Sequence, residues 1–140
     1  YAVIEKMVTE HGRGGRAAGA GFYEYAEGKK LGLWSGLQDY FGGDNLDIPL
    51  KDLQERMLFI EVIESIKCLD ENVLRTVPDA NIGSIFGIGF AAWTGGALQY
   101  INQYGVQDFV ARAQYLAEQY GERFLPPALL LEKAAKGETF

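Results

Sequence analysis

The side chains able to do chemistry are few and scattered along the chain. The single histidine, His11, sits beside Gly12 with no cysteine or carboxylate cluster near it in sequence. A Ser–His or Cys–His nucleophile pair would have to use it, and Ser35, Ser65, Ser84 and Cys68 lie in no nucleophile signature. His11 therefore reads as a cation at a helix end, where the C-terminal dipole favours positive charge. Glu61 and Glu64 are three residues apart, so one helix face can present both, and Asp70 and Glu71 follow. Paired carboxylates move protons or hold metals. Di-metal sites in helical bundles, however, take a Glu-x-x-His pair, and no histidine is available here. These acids read as a solvated face, with Glu64 the one to follow. Cys68 falls within the same apolar stretch and reads as a small buried hydrophobe.

Two glycine runs raise a different chemistry. Gly12-x-Gly14-Gly15 and Gly19-x-Gly21 invite comparison with a phosphate loop. The dinucleotide fingerprint needs a strand before it and a helix after it, whereas here a helical pattern precedes and aromatics follow; Gly-Lys-Ser/Thr is absent as well. The second run, from Gly87 to Gly96, flanks Phe90 and Trp93 with glycine and ends in Thr94-Gly95-Gly96. Thr94 is suited to cap a helix beginning near Gly95. Such a loop either brings backbone close to a ligand or lets two helices cross closely, and the residue types favour packing.

The elements that must position these residues are mostly helical. Ala2 to Glu10 puts Ile4, Met7 and Val8 on one side of a short helix ended by Gly12, and Gly12 to Gly21 is a loop with Arg13 and Arg16 as its charges. Phe22 to Tyr25 alternates as a strand, Gly28-Lys29 turns, and Leu31 to Trp34 returns, forming a small aromatic flap. The longest helical pattern runs from Asp47 to Leu74; Leu53, Met57, Ile60, Ile63, Ile66 and Leu69 are expected to face the core, Pro49 suits the first turn and Asp47 its cap. Thr76-Val77-Pro78-Asp79 resembles a capping box before a short helix broken by Gly83, Gly87 and Gly89. Further apolar faces are Ala97, Leu98, Ile101, Tyr104 up to Gly105, and Phe109, Val110, Ala113, Leu116, Ala117, Tyr120 up to Gly121. A last one, from Pro126-Pro127, carries Leu129, Leu130 and Ala134 and ends at Gly137. Five or six helices of this kind make a mainly α fold, with residues 1–45 holding the first helix, glycine loop and flap, and 46–140 the helical core.

Composition narrows the function classes. Of 140 residues, 18 are glycine: ten lie between Gly12 and Gly43, none from Asp44 to Ile82, and eight after that. With 48% hydrophobic and 23% charged residues the chain is neither collagen-like nor disordered, and its single cysteine rules out a disulfide scaffold. A net charge of −6 with no basic face argues against nucleic acid as a partner. The lone Cys68 fits a reducing, cytoplasmic setting, and no apolar run reaches the ~18 residues a spanning helix needs. The chain opens on Tyr1 with apolar periodicity already under way, and reads as a segment of something longer.

Four stretches carry a resemblance. They are Gly19-Ala20-Gly21-Phe22-Tyr23-Glu24-Tyr25; Glu55-Arg56-Met57-Leu58 with Glu64; Asp79-Ala80-Asn81-Ile82-Gly83; and GIGFAAWTGGALQYIN from Gly87 to Asn102. In this order they resemble the C-terminal helical domain of the 3-hydroxyacyl-CoA dehydrogenase family. The ending from Phe124-Leu125-Pro126-Pro127 to Gly137-Glu138-Thr139-Phe140 is similar to the last copy of that domain in multifunctional fatty-acid β-oxidation enzymes.

The resemblance implies a 6-phosphogluconate-dehydrogenase-C-terminal-like helical fold. It implies a parent enzyme that oxidises (S)-3-hydroxyacyl-CoA to 3-ketoacyl-CoA with NAD and hydrates trans-2-enoyl-CoA. In the family the catalytic His and Glu lie on a preceding Rossmann domain, and the first helical copy adds an Asn just before the Arg of its long helix. That position here is Glu55, which cannot donate as an amide does, so the match is to the second, non-catalytic copy. Ala20 stands where the family usually has Lys or Arg, and Ala91, Ala92 and Ala97 where it has prolines. The segment is thus expected to bind no cofactor or metal and to be inactive alone. Its partners would be the Rossmann and hydratase domains of its own chain, acyl-CoA through the parent, and a thiolase subunit or a second copy. The residues expected near an interface or ligand are Glu55, Glu64, Phe90, Trp93, Thr94, Gly95 and Gly96. Alternative readings are the dimerisation domain of a monofunctional dehydrogenase and an acyl-CoA- or partner-binding module.

Overall fold

A computed structural model describes residues 1–43 and 47–140. The chain divides into two compact units, Tyr1–Asp47 and Ile48–Phe140; the expected boundary between 45 and 46 lies outside the described residues. The fold is mainly α, with seven helices and one two-stranded sheet among the described residues.

The first unit holds α1 (Ala2–Thr9), β1 (Tyr23–Ala26), β2 (Lys29–Leu33) and α2 (Gly36–Phe41). The aromatic flap forms as expected: β1 and β2 pair antiparallel, closed by Glu27 and Gly28, both at positive φ. The glycine loop before it is more ordered than its composition suggests. A 3₁₀ turn spans Arg16–Ala18, and Arg13 ties the loop to the flap through Nε donating to the Gly21 carbonyl at 2.7 Å, an ion pair with Glu24 at 3.1 Å, and stacking on Trp34. The helix α2 was not among those expected. It brings Tyr40 and Phe41 against His11, whose ring lies 4.3 Å from that of Tyr40 and 5.2 Å from Trp34. His11 therefore sits just past the end of α1, as expected, but half-buried in an aromatic cluster rather than on the open surface. Met7 is the one buried apolar side chain of this unit among the described residues.

The second unit is built around α3 (Leu50–Asp70), packed by α4 (Val77–Ile88), α5 (Ala97–Tyr104), α6 (Val106–Tyr120) and α7 (Ala128–Lys136). Its core joins Phe59, Val62, Ile63 and Ile66 of α3 to Leu98 and Ile101 of α5, to Phe109, Ala113 and Leu116 of α6, and to Phe124 and Leu130. Phe59 and Phe109 stack nearly parallel with centroids 3.9 Å apart. The expected apolar faces of α5, α6 and α7 are the buried ones. The expected stops at Gly12, Gly105, Gly121 and Gly137 all have positive φ.

Three expectations are corrected. Of the six residues expected on the core face of α3, Ile63 and Ile66 are buried and Ile60 and Leu69 are partly buried against the core, but Leu53 and Met57 are 43% and 69% exposed. Over the first turns the buried side is instead Asp52, Glu55 and Phe59, because two paired acids share it. Asp47 caps nothing: Pro49 is the N-cap residue, and no side chain among the described residues caps α3. The helix α4 is not broken at Gly83 or Gly87 but runs through both and ends at Gly89, φ 74°. Its Thr76 does accept the Asp79 N–H at 3.2 Å, as a capping box requires.

Candidate functional site

The acids on the buried face of α3 form a polar site that joins three helices. Asp52 and Glu55 are three apart, one turn of helix, so both point toward α6. The Arg112 guanidinium bridges them at 2.5 Å each, with Nη2 on Asp52 and Nε on Glu55. The remaining oxygens are occupied too: Tyr120 donates to Asp52 at 2.6 Å and Tyr104 to Glu55 at 3.0 Å. Asp52 and Glu55 are 4% and 7% exposed, and among the described residues no buried side-chain nitrogen or oxygen lacks a partner.

The titration behaviour follows from these contacts. The Tyr120 hydroxyl, then the Arg112 guanidinium, hold the Asp52 carboxyl below its usual value. Burial, and donation to the Glu55 carboxylate, push the Tyr104 phenol up to about 12. Burial pulls the Arg112 guanidinium down, but the hydrogen bonds it donates to both carboxylates, and their charges, outweigh burial and hold it above its usual value. Each of the four carboxylate oxygens thus accepts from a side chain of α5 or α6, and the arrangement clamps α3, α5 and α6 together.

The residues at Phe90 to Gly96 do a second structural job. Phe90 is in the core, edge-on to Tyr100. Thr94 is fully buried but does not cap α5 as expected. Its hydroxyl donates to the Ala91 carbonyl at 2.6 Å and accepts the Gly96 N–H at 3.1 Å, which closes a tight turn. The α5 N-terminus is capped instead from α4: Ser84 Oγ accepts the Ala97 N–H at 3.0 Å, and Asn81 Oδ1 accepts those of Leu98 and Gln99 at 2.9 and 3.0 Å. Such closeness requires Gly96, where φ is +113° and a Cβ would stand 2.5 Å from the Asn81 Cα. Of the two readings of this loop, close helix crossing is the one its geometry explains. Trp93 is the exception, 76% exposed beside the rigid turn.

The expected site residues are not gathered in one place. Glu55 belongs to the Arg112 clamp, Glu64 is exposed and paired with Lys67 at 2.6 Å, and Thr94, Gly95 and Gly96 build the turn. Sequence reasoning missed Asp52, Arg112, Tyr104, Tyr120, Asn81 and Ser84. A usable signal existed for Arg112, the sole cation in α6, and for Asn81, the one carboxamide in α4. Cys68 is not deeply buried but half-exposed in the wall of a groove.

Among the described residues no three His, Cys, Asp or Glu side chains are placed to hold a metal. The Gly12–Gly21 run lies between α1 and β1, so it offers no helix N-terminus to a dinucleotide pyrophosphate and does not fit NAD. No helix among the described residues is long and apolar enough to cross a membrane. Compared with models of known protein families, the chain matches none.

Proposed function

We propose that the chain is a non-catalytic helical domain that completes and holds a larger enzyme of fatty-acid β-oxidation, in the position of the second C-terminal copy of a 3-hydroxyacyl-CoA dehydrogenase. In this reading the parent, a cytoplasmic multifunctional enzyme, oxidises (S)-3-hydroxyacyl-CoA with NAD on its Rossmann domain and hydrates trans-2-enoyl-CoA on a further domain. The supporting observation is Glu55. At the position where the family's catalytic copy carries an Asn, this chain has an acid whose two oxygens are taken by Arg112 and Tyr104. In this reading the residue serves the fold, tying α3 to α5 and α6.

The 140-residue chain, given NAD and 3-hydroxybutyryl-CoA, is expected to produce no NADH absorbance at 340 nm. Turnover that scales with protein and survives repurification would overturn the proposal. A second reading, a surface that binds a partner or an acyl-CoA, is favoured by Trp93, a large aromatic 76% exposed on a rigid turn. Trp93→Ala touches little of the core, so stability should stay within ~0.5 kcal/mol. Weakened association with the parent's dinucleotide-binding domain would support a domain interface here; weakened acyl-CoA binding would support a ligand surface.

A further inference from the structure

Between α3 and α4 lies an open groove of about 500 Å³. Ile60, Cys68, Val73, Leu74, Ala80 and Ile88 line it, with Glu61 and Glu64 on the α3 side and Gly83 on the α4 side. Val73 and Ile88 are 69% and 61% exposed, so apolar surface is offered to solvent and not merely glimpsed through gaps. Residues 61–88 supply every wall but Ile60. The lining holds two carboxylates, Glu61 and Glu64, and no Lys or Arg. Lys67 reaches Glu64 from outside the lining at 2.6 Å, so the wall of the apolar trough is acidic.

We propose that this groove docks an amphipathic helix of another polypeptide, with an apolar stripe at three- and four-residue spacing and Lys or Arg on its flanks. The apolar stripe matches the trough and the basic flanks match the acids beside it. A second copy of this chain is the wrong occupant, because it brings the same excess of acid to the contact and carries a net charge of −6. Of the residues expected near an interface or ligand, Glu64 lines the groove, while none from Phe90 to Gly96 does.

Cys68 supplies the assay, being the only thiol in the chain and part of the groove wall. A designed helical peptide of roughly 15 residues, about four turns, is made with Lys flanks and, as a control, with Glu flanks. The Lys-flanked peptide at saturation is expected to slow modification of Cys68 by a disulfide reagent on the order of tenfold, and the Glu-flanked one to leave the rate nearly unchanged. Gly83→Leu should abolish binding of the labelled Lys-flanked peptide, read by fluorescence anisotropy. Gly83 is helical with ordinary φ, and a Cβ there meets nothing within 4 Å. Should that variant misfold, the double variant Glu61→Gln/Glu64→Gln is expected to weaken the Lys-flanked peptide about tenfold with unchanged melting. Equal protection by both peptides, protection by neither, or slowing of the Cys68 reaction by raising the protein concentration alone would each overturn the proposal, the last in favour of a second copy.

Discussion

Replacing Asn81 tests the packing account of the glycine-rich turn most directly, because its carboxamide does across a helix crossing what an N-cap residue does within one chain segment. Oδ1 accepts two α5 amides at 2.9 and 3.0 Å. Leu98 is fully buried, so its N–H cannot turn to water when the acceptor is lost. Stranding that donor costs about 1–3 kcal/mol; the half-exposed Gln99 recovers most of its loss from solvent. Asn81→Ala is therefore expected to cost about 2–3 kcal/mol, at or above the top of the ~0.5–2 kcal/mol range for losing an ordinary cap. For a chain of this length that is a fall in Tm on the order of 8 °C. Asn81→Asp keeps the acceptor and adds negative charge at a helix N-terminus, a gain of roughly 0.3–1 kcal/mol that should fade as the new carboxyl protonates below about pH 4. Urea unfolding followed by circular dichroism at 222 nm measures both. If Asn81→Asp destabilises as much as Asn81→Ala, or if Asn81→Ala changes stability by less than ~0.5 kcal/mol, the cap from α4 is not what holds this turn.

Three further outcomes follow from the same contacts. Gly96→Ala combines positive-φ strain with a Cβ 2.5 Å from the Asn81 Cα, and should cost about 3–5 kcal/mol by denaturation. Arg112→Met strands two buried carboxylates, so it should lower Tm strongly at neutral pH, and adding Asp52→Asn and Glu55→Gln should recover part of the loss. The folded pKa of Asp52 is depressed, so its contribution is complete above its unfolded value of ~3.9 and is lost as pH falls through the depressed one. The gap between parent and Arg112→Met in a pH series should therefore close in acid, and a gap that widens there would contradict the clamp. Tyr104, pushed up to about 12, should be missing from the phenolate absorbance at 295 nm near pH 10 when parent and Tyr104→Phe are compared. Because its folded value lies above the unfolded ~10, stability should decline as pH rises from 10 toward 12.

The parts of the fold legible in sequence are those set by neighbours along the chain. The ends of α5, α6 and α7 could be placed because Gly105, Gly121 and Gly137 take positive φ there, and the flap because aromatic alternation flanks a glycine turn. What failed depended on contacts between distant residues. The apolar count put Leu53 and Met57 inside, yet Asp52 and Glu55 occupy the buried side because Arg112, some 60 residues on, bridges both. Interior glycines suggested breaks in α4, each costing about 1 kcal/mol relative to Ala. The helix continues through Gly83 and Gly87 because the Thr76 cap and the burial of Ala80 and Ser84 outweigh that cost. Thr94 was the only capping residue near Gly95 in sequence, and nothing local reveals that Asn81 and Ser84 lie closer in space.

The clamp also constrains what position 55 can become. Two carboxylates meet one guanidinium, and the excess negative charge is spread over the Tyr104 and Tyr120 hydroxyls, with the Lys51 ammonium 3.8 Å from Glu55. An amide at 55 would leave Asp52 and Arg112 as a neutral pair and could still accept from Tyr104 through its oxygen, but its NH₂ group would confront the Arg112 Nε donor. Arg112 would then have to release this position for an amide there to face a substrate. The acid at 55 and the arginine at 112 are thus one structural choice, so Glu55→Asn alone should destabilise the helical unit without creating a hydrogen-bond donor for a ligand. Glu55→Asn paired with Arg112→Met should melt closer to the parent than Arg112→Met alone, because one stranded charge is gone. A double variant no more stable than Arg112→Met would mean that Glu55 is not held through Arg112, and the reading of this position as structural would fall with it.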